Sequence, residues 1–445
     1  MLTRLHVRGF KNLLDVDVRF GPFTCFVGEN GVGKSNLFDV INFLRLLMET
    51  PVPEAISRMR ETQGRIADVT SVFTSFDDYT APEMRITADM IVERNVEDDF
   101  GTPAEACIST VRYEIAFERD SRQHGGVVLT HESLTPIKVA DGKRLGFHAS
   151  NEFKSSVVTG RRAGGPFLST VDKTAHLHQE GHQGRGRQVP LLQSPRAIIQ
   201  SATAEFPTLL AARREMQSWR SLMLEPSAMR APSEYTGAQH VDHCGGHLAG
   251  SLKRLEKIVS RDALSEVANR LAELLPEVRK VHVEDDPRFQ TYTVQVQGPD
   301  GVFHSARNLS DGTLRFLVLA TLLEDPEARG TLCLEEPENG IHPDRVAPMV
   351  RLLQDFAVDP ERPVDSDNPL RQMIVNTHSP LVFREVDKED IVFLESVERV
   401  QGRGRVVQVE VESGTWRAKE TTHVRPSRLR QWRQMNFDFD AVAAE

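Results

Sequence analysis

The chain is 445 residues long, 39% hydrophobic and 27% charged, with a formal net charge of −10. That length exceeds what one hydrophobic core usually organises and predicts a large domain with a substantial insertion, or two lobes. The acidic balance excludes a uniformly basic nucleic-acid coat, though not a local basic groove, and no apolar run approaches the roughly eighteen residues that span a bilayer.

Residues 1–7 alternate like a strand and lack the charged-then-apolar plan of a secretory signal, so no membrane segment and a cytoplasmic location are expected. Four cysteines, Cys25, Cys107, Cys244 and Cys333, are too few and scattered for a disulfide framework and read as buried thiols.

Residues 2–7, 14–20 and 23–27 read as strands, with Arg8-Gly9-Phe10-Lys11-Asn12 as the first connection. The third strand runs into Gly28-Glu29-Asn30-Gly31-Val32-Gly33-Lys34-Ser35, which fits G-x-x-x-x-G-K-[ST] at every specified position, and residues 36–44 continue with helical periodicity. Such a loop cradles phosphate. Its glycines, Gly28, Gly31 and Gly33, let the backbone around Asn30 turn its N–H groups inward, helped by the positive end of the helix. Lys34 would bridge the β- and γ-phosphates and the Ser35 hydroxyl would ligate Mg2+. A glycine turn that binds nothing is the alternative, and the flanking strand and helix count against it.

Pro51-Val52-Pro53 breaks the helix, and 54–62 reads as another. Alternating residues predict antiparallel strands at 84–92 and 109–117, joined by an acidic connection, with short strands at 127–129 and 133–137. Residues 141–195, rich in Gly, Arg and His, read as a mobile surface loop, a solvated linker ahead of a nucleic-acid contact. His240, His243, Cys244 and His247 lack the second pair that would complete a zinc site, and Gly245-Gly246 reads as a turn. Residues 197–224 read as mostly helical, interrupted by Pro207; 247–258 and 263–275 read as a short helical arm without sustained heptads; 278–283 and 291–296 read as strands.

Three polar clusters follow apolar or turn signals. Leu309-Ser310-Asp311-Gly312 opens a helix, where a serine hydroxyl and a glycine backbone offer an anion site or simply a cap. Thr331-Leu332-Cys333-Leu334-Glu335-Glu336 is an apolar strand ending in two carboxylates, one suited to holding Mg2+ and the next to accepting a proton from water. Met373-Ile374-Val375-Asn376-Thr377-His378 is another buried strand ending in a histidine. Beyond it, 391–394 and 405–411 read as strands, and 417–433, with Trp416 and Trp432, as a basic solvated helix rather than a grip on DNA.

In order and spacing, the strand, "GFKN" turn and strand before the phosphate loop, then Leu309-Ser310-Asp311-Gly312, Glu335-Glu336-Pro337-Glu338-Asn339-Gly340-Ile341-His342-Pro343 and His378, resemble the RecF, SMC and OLD-like ABC-type ATPases. The resemblance implies an α/β fold: a P-loop NTPase, an ABC-type ATPase head with an antiparallel β subdomain and an inserted helical region. It divides the chain into 1–140, the half with phosphate loop and β subdomain; 141–277, the inserted loop and helical region; and 278–445, the half with signature, Walker B and switch histidine.

By the same resemblance Gly28, Asn30, Gly31, Gly33, Lys34 and Ser35 bind ATP. Ser310 and Gly312 meet the γ-phosphate held by another subunit, Glu335 joins Ser35 on Mg2+, Glu336 is the general base and His378 orients the water. Glu335 stands where Asp is usual, and no glutamine stands out for a Q-loop. Absence of an N-K-x-D motif favours ATP over GTP.

The implied function is an ATPase that forms a homodimer or higher oligomer around nucleotide and controls a separate effector protein, such as an anti-phage nuclease. By the same resemblance, Asp438-Phe439-Asp440 is expected to have too few residues around it for a nuclease domain of the OLD type. A DNA repair or recombination ATPase clamping duplex DNA is the alternative. A transporter subunit is disfavoured by the opening strands and the "EEPENG" turn.

Overall fold

The computed structural model describes residues 1–59, 69–76, 79–119, 126–142, 145, 147–162, 165–180, 186–259, 262–401 and 404–413, with side chains described to residue 396. The basic segment 417–433, the Asp438 and Asp440 pair and the end of the helix expected over 54–62 lie outside these residues. The chain folds as two compact units, one formed by 1–219, 360–368 and 387–445, the other by 220–359 and 369–386.

The first unit contains an eight-stranded antiparallel sheet in the order Arg187–Pro190, Thr174–Leu177, Leu168–Val171, Val127–Pro136, Thr110–Arg119, Glu83–Ile91, Leu2–Phe10, Leu13–Arg19. Period-two alternation sends Leu5, Val7, Ile86, Tyr113, Ile115 and Phe117 into the core. On that side Phe43 of the helix Lys34–Leu47 packs against Phe10 at 6.3 Å and Phe117 at 5.8 Å. The other face carries cross-strand ion pairs: Arg4 Nε donates to Asp17 at 2.8 Å, Arg112 grips Asp89 at 2.6 and 2.8 Å, and Arg85 pairs with Glu114 across strands and with Glu83 along its own. Burying a large apolar side chain contributes about 1.5–3 kcal/mol, against about 0–1 for such an ion pair, so the apolar side holds the sheet and the charges reinforce register.

Three expectations for this unit are corrected. Residues 141–195 contain a helix, Asn151–Val157, and three sheet strands, because Phe153, Phe167, Leu168 and Leu177 bury their side chains despite a polar surround. The two short strands expected over 127–137 are one, Val127–Pro136, with a register shift between Leu129 and His131 that had hidden the alternation. Pro207 does not interrupt a helix; it starts one, Pro207–Gln217, as its missing N–H allows in a first turn. The strand Phe23–Val27 is wholly buried and runs parallel to Ile391–Gln401, which pairs antiparallel with Gly404–Ser413.

The second unit holds three parallel strands, Arg220–Leu222, Gly330–Glu335 and Arg371–Thr377, with Glu335 opposite Asn376. Arg220–Leu222 falls where the sequence reading expected helix. The other two strands are almost wholly buried, as parallel strands covered on both faces are. Leu248–Ile258 and Ala263–Leu274, expected as an arm, instead bury Leu252, Leu255, Val267 and Leu271. Arg270 Nε of the second helix reaches Glu324 at 3.2 Å, at the end of the helix Asp311–Glu324. The strands Lys280–Asp286 and Thr291–Gln297 form an antiparallel sheet with Ser233–Glu234 and Phe303–Ser305.

Candidate nucleotide site

The phosphate loop lies in the first unit, between the strand Phe23–Val27 and the helix Lys34–Leu47. Gly33 has φ of 112°, a left-handed conformation that side chains resist, and it turns the loop into the helix. A Cβ on Gly28 would come within 2.5 Å of the Leu394 carbonyl, so only glycine fits there. Asn30 and Gly31 are exposed, Ser35 is half-buried, and Lys34 is 7% exposed.

The Lys34 ammonium donates to the carbonyls of Gly28 at 2.6 Å and Glu29 at 2.8 Å, and so spans the loop it would serve. Support comes from the "GFKN" turn. Asn12 Nδ2 reaches the Val32 carbonyl at 3.4 Å, Asn36 Nδ2 donates to Asn12 Oδ1 at 2.8 Å, and Lys11 pairs with Asp39 at 2.6 Å. Sequence reasoning took Asn12 only as part of a connection; its place eleven residues before the core strand that leads into the loop carried no chemical signal.

The other motif residues lie in the second unit. Ser310 is the N-cap of Asp311–Glu324: its Oγ accepts from Thr313 N at 3.1 Å and bonds Thr313 Oγ1 at 2.8 Å. Gly312 is buried, and a Cβ there would meet the Gly340 carbonyl at 3.1 Å, so the signature helix presses closely on the turn after the carboxylates. Ser310, Thr313, Gly340, His342 and Arg345 line a cavity of about 410 Å3 within this unit.

Glu335 ends its strand and Glu336 follows with φ of 44°, in the left-handed region. Its N–H is shared between the carbonyl of Asn376 at 3.0 Å and Asn376 Oδ1 at 3.1 Å, which holds that unfavourable turn. The Glu336 carboxylate contacts His378 Nδ1 at 3.1 Å through Oε1 and accepts from Asn339 Nδ2 at 2.7 Å through Oε2. Thr377 Oγ1 donates to Glu338 Oε1 at 2.5 Å. Burial raises the Glu338 carboxyl, opposed by that hydroxyl and by His378 nearby. Sequence reasoning singled out Glu336 and His378 but assigned no such role to Asn339, Asn376 or Thr377; the polar run ending an apolar strand was the available signal.

The Ser35 hydroxyl in the first unit and the Glu335 carboxylate in the second are each hard oxygen donors of the kind Mg2+ takes, and the loop's backbone with Lys34 suits a phosphate chain. Burial pushes the Cys333 thiol up, as expected of an inert core cysteine. No helix among the described residues is long and apolar enough to cross a membrane.

Fold and motif order together resemble those of a P-loop ATPase head of ABC type. A family described as "AAA domain, putative AbiEii toxin, Type IV TA system" matches residues 166–384. The OLD nuclease of Thermus scotoductus is 22% identical over 402 residues, 87% of this chain and 60% of that protein. The DNA replication and repair protein RecF of Porphyromonas gingivalis is 44% identical over 45 residues, 10% of this chain and 12% of the relative. The chain thus spans less than two thirds of either relative. Among solved structures, the SMC head bound to the C-winged helix domain of ScpA covers 93% of this chain and 97% of its own at a TM-score of 0.50 and 14% identity, a likeness of fold. These similarities run to the OLD, RecF and SMC proteins, and the likeness to the SMC head is one of fold.

Proposed function

We propose that the protein binds ATP with Mg2+ and hydrolyses it between two copies of itself, and that the nucleotide-linked dimer or larger oligomer acts in the cytoplasm as a sensor or scaffold for a separate effector, a nuclease in anti-phage defence. The observation that carries the hydrolytic part is the 3.1 Å contact between Glu336 Oε1 and His378 Nδ1, two groups from different strands brought to one point. A carboxylate with an imidazole on one oxygen and an amide on the other is oriented to take a proton from water, while His378 keeps its other ring nitrogen for a phosphoryl oxygen.

Gly28, Asn30, Gly31 and Gly33 would offer backbone N–H groups, and Lys34 its charge, to the phosphate chain. Ser35 and Glu335 would hold Mg2+, which when bound neutralises charge developing on the phosphates. Ser310 and Gly312, at a helix N-terminus, would face the γ-phosphate of the partner copy.

The effector role rests on the superfamily and on the family description's reference to a toxin system. The reading as a DNA clamp draws on the RecF relatives, whereas Arg4, Arg85 and Arg112 on the open sheet face are paired with carboxylates rather than free for phosphates.

ATP turnover and oligomer mass, measured together with and without Mg-ATP and duplex DNA, test the proposal. Turnover with an ATP-captured dimer, both indifferent to DNA, is the expected result. DNA binding strengthened by ATP and weakened by salt would favour the clamp. In Ser310→Arg, turnover should fall about tenfold or more with nucleotide binding intact; unchanged turnover would remove the trans-acting signature from the scheme.

A further inference from the structure

We propose that Glu338 is a positioning residue of the hydrolytic centre, acting through Thr377 to fix the turn that carries His378 against Glu336. The inference rests on the ATPase reading and extends it to a residue outside that reading. Glu338 sits on the turn leaving the carboxylate strand, and Thr377 ends the histidine strand. Their side chains join at 2.5 Å. The same Thr377 oxygen accepts from Ser379 N at 2.9 Å, so one hydroxyl grips the backbone on the far side of His378 while its proton is committed to Glu338.

His378 is therefore bracketed. Its neighbour before it is tied to Glu338, its neighbour after it to Thr377, and its ring to Glu336. The Glu338 backbone is tied as well, its carbonyl accepting from Ile341 N at 3.0 Å. A loop closed at both ends leaves the ring little freedom to drift from the carboxylate it must meet.

The chemistry of Glu338 is costly for a merely structural residue. Its Oε2 is sealed from solvent and has no hydrogen-bond partner among the described residues. An apolar side chain of similar size would fill the space without stranding an acceptor, whereas only an acceptor at this position can hold the Thr377 hydroxyl. Glu132, a wholly buried glutamate, shows the structural alternative: its two oxygens accept from Ile198 N, Ile199 N and the Tyr113 hydroxyl.

The test uses the full chain with Glu338→Ala, Thr377→Val, their double variant and Glu338→Gln. Two readouts are needed: ATP kinetics, and NMR of the His378 ring in histidine-labelled protein, assigned with His378→Ala. Glu338→Ala and Thr377→Val should each lower kcat about tenfold to a hundredfold with KM for ATP within about twofold, and the double variant should be no worse than the weaker single. Glu338→Gln, whose amide oxygen can accept the same hydroxyl, should stay within about threefold of wild type. The His378 signals should move in Glu338→Ala and Thr377→Val and remain in Glu338→Gln.

Losses that multiply in the double variant, a Gln variant as poor as Ala, or unmoved His378 signals would each overturn the proposal. Wild-type turnover that Lys34→Ala leaves unchanged would sink the ATPase reading instead. The His378 spectrum needs no turnover and would still decide the role of Glu338.

Discussion

The phosphate loop and the carboxylate–histidine cluster solve the same problem, holding polar groups ready for charge, in opposite ways. The loop does so with consecutive backbone: Gly28 to Ser35 are contiguous, and Lys34 bonds to carbonyls five and six residues away. The cluster does so with side chains from separate strands, Glu336 meeting His378 across 42 positions and Thr377 meeting Glu338 across 39. Backbone geometry survives most substitutions outside the glycines, whereas a side-chain network fails at any member. Loss of one contact should therefore be graded in the first region and steep in the second.

The steepest expected loss is in the cluster. Glu336→Gln should reduce turnover about 10²- to 10⁴-fold while leaving nucleotide affinity near wild type and trapping the ATP-bound oligomer, read by turnover and mass together. A variant with normal turnover would remove Glu336 as the base. Lys34→Ala removes the loop's one committed cation, and a fluorescent ATP analogue should bind on the order of a hundredfold more weakly. Tight binding in that variant would move the nucleotide elsewhere.

A second contrast concerns buried acids within the first unit. Burial raises the Glu132 carboxyl from an ordinary 4.5 to about 7, against the lowering effect of the Ile198 and Ile199 N–H groups and the Tyr113 hydroxyl. Because the folded value lies above the unfolded one, the folded state binds the extra proton. This contribution is complete below pH 4.5 and is lost as pH rises through about 7, a decline of roughly 3 kcal/mol. Glu132→Gln should flatten the stability profile over that window in denaturant titrations; an unchanged slope would assign it to other groups.

The smallest effect sharpens the view of the loop. Asn12→Ala removes the support under the Val32 carbonyl and the partner of Asn36, and should lower stability by about 1 kcal/mol and nucleotide affinity only a few-fold. A loss as large as that of Lys34→Ala would show that the loop, too, depends on its side chains.

Most core elements were legible because their periodicity is local. The opening strands, the phosphate-loop helix and the helices near 248 and 263 begin and end within a few residues of the expected positions. Residues 141–195 were not legible: a few apolar anchors, Phe153 and Phe167 among them, suffice to dock a polar segment, and their value appears only when the surface they cover is present. Arg220–Leu222 was missed because three residues are too few to display a period, and its pairing with Gly330–Glu335 spans more than a hundred positions.

The sequence by itself determined the phosphate loop, the order of the motifs and the acidic and histidine residues that end the two buried strands, because each depends on contiguous residues with a fixed chemistry. Only the tertiary structure decided that Asn376 holds Glu336 in a left-handed turn, that Asn339 and His378 share its carboxylate, and that Glu338 meets Thr377. Those relations follow from the register of two parallel strands, with Glu335 opposite Asn376. Register is a property of the pair, and neither strand encodes it alone.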